Sequence, residues 1–212
     1  ISHTELYPTV AILDGNLTLS LPMDISITTT MDALSHSFES IWNKKANDTS
    51  TDFAISAICS ILKNSSALKE RPADLDIRNN LLRASSVAGL AFSNTTTAAA
   101  HSMSYPLTIH YGIPHGVASS ISLLPLLDIN GKSIKTSLDI ICKNNELTYN
   151  ELKQTIKEIP QGVVPYTLDK WGITEDQLPK LAEESFTKGR MDNNIVDLLT
   201  DDVLDILNEI YK

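Results

Sequence analysis

A chain of 212 residues is long enough for one domain with an ample core, or at most two small ones. Its hydrophobic fraction of 42% and charged fraction of 20% are those of a soluble globular protein, and a net charge of −9 from 17 basic and 26 acidic residues excludes a protein that tracks nucleic-acid phosphates. No run approaches the roughly 20 apolar residues that span a bilayer, and no basic stretch followed by an apolar one opens the chain as a secretory signal would, so no membrane or nucleic-acid partner is expected.

Residue 1 is Ile rather than Met, and the sequence runs directly into PTVAILDGNLTLSLP, which reads as a piece of a longer protein. Thr9 to Leu13 is a short apolar run closed by Asp14-Gly15, the pattern of a buried strand and a turn. After Pro22 the chain prefers helix. Thr28, Thr29 or Thr30 is placed to cap a helix through Asp32, Leu34, Phe38 and Ile41. A second helix fits Asp52 to Leu62, where Phe53, Ile55, Ile58, Ile61 and Leu62 form a wide apolar stripe. A third runs from about Asp76 to Phe92 and turns small and apolar towards its end, which means deep burial. A fourth begins at Ala98 and is expected to stop before Pro106. A fifth spans Gly116 to Leu127.

From Lys132 the composition becomes more polar, with amphipathic helices expected at Thr148 to Ile159, Thr174 to Lys188 and Thr200 to Ile210. The last places acids in its first turn, where the helix dipole favours them. Cys59 and Cys142 lie far apart with no CxxC partner and read as free thiols in a reducing cytoplasm. The N-x-S/T sequons at Asn16, Asn47, Asn64 and Asn94 read as accidents of composition. The expected fold is all-α: residues 1–22 form an extended inter-domain lead-in, and residues 23–212 a helical bundle.

The chemistry concentrates in two places. In MDALSHSFES, Asp32 and His36 stand four apart, on one face of a helix about one turn from each other. In HSMSYPLTIHYGIPHG, His101, His110 and His115 fall within fifteen residues, and the stretch from Ala98 to Ala118 carries no Lys, Arg, Asp or Glu. A solvated loop normally carries charge, so this segment reads as buried and functional. One carboxylate and three imidazoles suit ferrous iron or zinc, and the donor types alone do not separate the two. An Asp/His pair at helical spacing is also common as a surface hydrogen bond; the second histidine segment favours the metal reading.

The order MDALSHSFES, then VAGLAFSNTTTAAAHSMSYPLTIHYGIPHGVA, resembles the C-terminal helical domain of the iron-containing (group III) alcohol dehydrogenases, a dehydroquinate synthase-like bundle. AILDGNLTLSLP is similar to that family's link between its two domains. The resemblance implies metal ligands at Asp32, His36, His101 and His115, a substrate-lining aromatic at Phe92, and no transferable role for His110. It also implies an NAD- or NADP-binding α/β domain that this chain lacks, since the eight glycines include no adjacent pair and no GxG. The family commonly has a second His four residues after the first, near substrate and nicotinamide; here that place is Tyr105. A phenol titrates near about 10 where an imidazole titrates near about 6.5, so this is a poorer proton relay at neutral pH. The SYPLT wording is similar to the branch that includes the phosphonoacetaldehyde reductases.

The expectation is therefore the metal-binding half of an NAD(P)-dependent alcohol dehydrogenase or aldehyde reductase. Its partner would be a small alcohol or aldehyde, with phosphonoacetaldehyde as the particular candidate and a homodimer as an open assembly. Two other classes compete: a metal-dependent hydrolase of helical fold, and a non-enzymatic helical interaction domain. Such hydrolases usually show an adjacent His-Asp dipeptide, absent here, and a tightly bound metal would rule out the interaction domain.

Overall fold

The computed structural model describes residues 7–212. Ten α-helices make up the body: α1 (Met23–Ile41), α2 (Asp48–Glu70), α3 (Leu75–Thr95), α4 (Ala99–Tyr111), α5 (His115–Ala118), α6 (Leu123–Asn130), α7 (Lys135–Asn145), α8 (Tyr149–Glu158), α9 (Leu178–Glu184) and α10 (Thr200–Glu209). Short 3₁₀ turns join several of them, and no strand occurs among the described residues. A single isolated bridge pairs Asn43 with Asn194. The all-α expectation therefore holds.

The core is built on α1. Ile27, Met31, Leu34, Phe38 and Ile41 recur at spacings of four and three, so they form one continuous stripe, and each is buried. Each such side chain contributes about 1.5–3 kcal/mol on burial. Helices α2 and α3 pack against α1 and against each other. The Asn47 side chain accepts from the Ser50 amide while Ser50 Oγ accepts from the Asn47 amide, which fixes the start of α2 ahead of the predicted Asp52. No described helix is long and apolar enough to cross a membrane.

Several boundaries differ from expectation, each for a local reason. The run Thr9–Leu13 is neither buried nor a strand: Val10 is 74% and Ile12 88% exposed, because the helical body offers no edge for it to pair with. Asp14 instead caps a 3₁₀ turn, Gly15–Thr18, whose Gly15 amide donates to Asn79 on α3 at 2.9 Å. Helix α1 begins at Met23 rather than at a threonine cap. The hydroxyls of Thr29 and Thr30 donate back to the carbonyls of Ile25 and Ser26, four residues earlier, so they sit inside the helix.

Pro106 does not end α4, which continues to Tyr111 with Pro106 inside it. The ring costs one backbone hydrogen bond, but Met103, Pro106 and Leu107 are all buried, and that packing holds the helix together across it. Gly112, at φ 65°, then closes α4 in the left-handed conformation. The predicted Gly116–Leu127 helix is two helices separated by Ser119–Ser122. The predicted Thr174–Lys188 helix shrinks to a 3₁₀ turn and α9, while α7 lacked a strong signal in the sequence.

Candidate metal centre

Asp32, His36 and Glu39 recur on α1 at spacings of four and three, parallel to the apolar stripe but on another face. His101 comes from the first turn of α4, and His115 opens α5. Gly116 allows that convergence: a Cβ there would lie 2.1 Å from the Thr28 carbonyl oxygen, so α5 lies directly on α1 only because the side chain is a hydrogen.

Asp32 Oδ1 is the centre of the group. It lies 3.6 Å from His101 Nε2, 3.6 Å from His115 Nε2 and 3.7 Å from His36 Nδ1. Ligand atoms of Asp32, His101 and His115 all fall within 4.8 Å of one another. Donors at 2.0–2.2 Å around a tetrahedral ion would stand about 3.4 Å apart, and the two 3.6 Å separations from Asp32 Oδ1 to His101 and His115 are close to that. His36 lies beside the trio. Its Nδ1 donates to the Asp32 carbonyl at 2.9 Å, which leaves Nε2 as the lone-pair nitrogen, and its ring centroid is 4.3 Å from that of His101. The Phe92 ring covers His36 at 4.2 Å and is half-buried, so it belongs to the wall of the site.

The sequence reading missed Glu39 and Ser119. Glu39 is fully buried; its Oε2 accepts from His101 Nδ1 at 2.5 Å and its Oε1 from the His101 amide at 3.1 Å. Ser119 Oγ donates to Asp32 Oδ1 at 2.7 Å, and Ser35 Oγ holds the Ser119 carbonyl at 2.6 Å. Glu39 had a signal: an acid in an apolar run, seven residues after Asp32. Ser119 had none. His110 stands apart, paired with Glu184 at 2.8 Å on the surface, and Cys59 and Cys142 are free thiols.

The buried charges of the group act strongly on one another. Burial pushes the Asp32 carboxyl up, but the His101, His36 and Ser119 groups around it outweigh burial and bring it down to about 2. Burial pushes His101 down, and the Glu39 and Asp32 carboxylates overcome that and raise it to about 9. Burial, with the charge of His101, holds His36 below the usual imidazole range. Without a metal, a proton on His101 therefore balances two carboxylates. His101 Nε2 is buried with no hydrogen-bond partner, an orphaned ring nitrogen turned towards Asp32 and His115. A buried polar atom left unpaired is costly, and a divalent cation held there would satisfy it.

A helical bundle in which a carboxylate and imidazoles converge beside a close helix crossing offers the donor set of a divalent-metal site. The family model for the Fe-containing alcohol dehydrogenase family, C-terminal, matches residues 26–211, and the chain belongs to that family. It is 29% identical over 202 residues to long-chain-alcohol dehydrogenase 1 of Geobacillus thermodenitrificans, covering 90% of this chain and 51% of that protein. It is 27% identical over 225 residues to 4-hydroxybutyrate dehydrogenase of Clostridium kluyveri, covering 100% of this chain and 60% of that protein. The sulfoacetaldehyde reductase of Bifidobacterium kashiwanohense, solved in complex with NAD+, superposes with a TM-score of 0.87 at 28% identity, over 99% of this chain and 56% of that one. The chain thus spans about half the length of the curated relatives it matches.

Proposed function

We propose that this chain is the metal-binding half of an NAD(P)-dependent alcohol dehydrogenase or aldehyde reductase whose nucleotide-binding half lies outside these 212 residues. The observation that carries this reading is the orphaned His101 Nε2 facing Asp32 and His115 within the family's fold. Asp32, His36, His101 and His115 are the residues we assign to hold the metal, Fe2+ or Zn2+. When bound, the ion supplies Lewis acidity towards the oxygen of an alcohol or aldehyde.

The chain's own groups do the rest. Glu39 fixes the His101 ring, and Ser119 fixes the Asp32 carboxylate. Phe92 shields the His36 side of the site from water. Tyr105 Oη follows His101 by one helical turn; it accepts from Arg190 Nε at 3.3 Å, which leaves its own proton free to donate towards a substrate oxygen. No glycine-rich loop is present to cradle a pyrophosphate, so hydride transfer requires the other half of the cleft, and the 212 residues alone should turn over no substrate.

The substrate class is a small alcohol or aldehyde. Relatives named for 4-hydroxybutyrate and sulfoacetaldehyde stand beside one named for long-chain alcohols, and phosphonoacetaldehyde is the particular substrate suggested by the SYPLT wording. A homodimer in the cytoplasm completes the proposal, consistent with the free thiols.

The test is metal binding followed by turnover. The chain loaded anaerobically with Fe2+, or with Zn2+, should bind one ion, and Asp32→Ala or His101→Ala should abolish binding. Unchanged binding in both variants would overturn the site. In the intact enzyme, chelation or His115→Ala should stop NAD(P)H oxidation; full activity in a metal-stripped preparation would sink the proposal.

A further inference from the structure

We infer that Arg190 and Tyr105 form an oxyanion subsite, selecting short aldehydes and alcohols that end in a carboxylate, sulfonate or phosphonate. The inference rests on the dehydrogenase reading and adds the part of the site that recognises the far end of the substrate.

Arg190 lies in the turn between α9 and α10, half-buried. Its Nε donates to Tyr105 Oη at 3.3 Å and its Nη1 to the Gly189 carbonyl at 2.8 Å. Among the described residues Nη2 has no acceptor, and no carboxylate pairs with the guanidinium. One edge of a planar, permanently charged fork is therefore open, the geometry that binds an oxyanion through two parallel hydrogen bonds.

The turn that carries the fork is fixed rather than loose. Asp192 Oδ1 accepts from the Gly189 amide at 2.6 Å, and Asn193 Nδ2 donates to the Gly189 carbonyl at 2.8 Å and to the Thr97 carbonyl at 2.9 Å. Thr97 immediately precedes the α4 segment that carries His101, so the cation and the metal ligand are tied to one corner of the fold. Tyr105 stands four residues beyond His101 on α4, so the two residues leave the same helix face about 6 Å apart along its axis. A short chain with oxygen at one end and an anion at the other spans that separation. A neutral alkyl tail would leave a half-buried cation without a partner, which disfavours it.

The experiment compares the intact enzyme with Arg190→Ala, Arg190→Gln and Arg190→Lys. The readout is the ratio of kcat/KM for succinic semialdehyde, sulfoacetaldehyde and phosphonoacetaldehyde over that for butanal. Calorimetry of 4-hydroxybutanoate against 1-butanol gives the same comparison without turnover. The wild type should prefer the charged aldehydes; Arg190→Ala and Arg190→Gln should lower the ratio by about 10- to 100-fold, chiefly through KM, and Arg190→Lys should retain part of it. The best of the three oxyanions identifies the headgroup. A wild type with no preference, or a ratio unchanged in folded Arg190→Gln, would overturn this inference while leaving the dehydrogenase reading intact. No turnover of any aldehyde by the wild type would overturn both.

Discussion

Glu39 Oε2 accepts from His101 Nδ1 at 2.5 Å, and the same carboxylate accepts from the His101 backbone amide at 3.1 Å. One buried side chain thus fixes both the ring orientation and the main chain of a histidine we assign to the metal. Its partner Nε2 is forced towards Asp32 with the lone pair outward whenever the ring is neutral. Glu39→Gln should weaken Zn2+ or Fe2+ affinity by about 10- to 100-fold, with Glu39→Ala weaker still and less stable. Calorimetric titration of the metal into each variant decides the point; affinity equal to wild type in both would remove Glu39 from the site.

The metal-free chain should lose stability between about pH 6.5 and 9. His101 is raised to about 9 in the folded state, so its contribution is complete below the unfolded value of about 6.5 and disappears as pH rises through about 9. Asp32, at about 2, and Glu39, also held low, contribute above the usual carboxylate range and lose that contribution only in strong acid. His36, held low, loses its contribution as pH falls below about 6.5, so it does not offset the alkaline decline. Metal binding should reverse the trend, because an ion held by His101 would displace its proton and so bind more tightly as pH rises. Thermal melts in chelator and in Zn2+ should diverge towards pH 9. A flat melting temperature over this range in chelator would contradict the argument.

Gly116→Ala should destabilise the fold by about 2 kcal/mol and weaken metal binding together. The added methyl would meet the Thr28 carbonyl at 2.1 Å and push α5, with His115, away from Asp32. Denaturant melts and metal titration of the same variant measure both effects. A variant as stable as wild type would show that the α1–α5 contact yields.

Thr96 has φ 66° and ψ 178°, a conformation that suits glycine, at the corner between Phe92 on α3 and His101 on α4. Thr96→Gly should raise stability by about 1 kcal/mol, because the relieved strain exceeds the lost Asn193 hydrogen bond at 2.9 Å, and Asn193 keeps other acceptors. Thr96→Ala should lower stability, since it keeps the strain and loses the bond. The two variants are predicted to move the denaturation midpoint in opposite directions, and a shared sign would refute the strain.

The periodicity of α1 was legible in the sequence because a helix repeats every 3.6 residues whatever surrounds it: the Leu34, Phe38 and Ile41 stripe and the Asp32/His36 pair follow from spacing alone, while the extra turns back to Met23 do not. The start of α8 at Thr148 is equally local. Pro106 inside α4, the splitting of α5 from α6 and the exposed Thr9–Leu13 run were not, because each depends on what packs, or fails to pack, against the segment. The composition of the site divides in the same way. Residue types named Asp32, His36, His101 and His115 as candidates, but the approach of α5 to α1 at Gly116, the Ser119 bond to Asp32 and the Glu39 clamp on His101 join residues many positions apart. The sequence specifies which chemistry is present; only close packing of the helices decides which of those groups share a desolvated space where their charges and lone pairs act on one another.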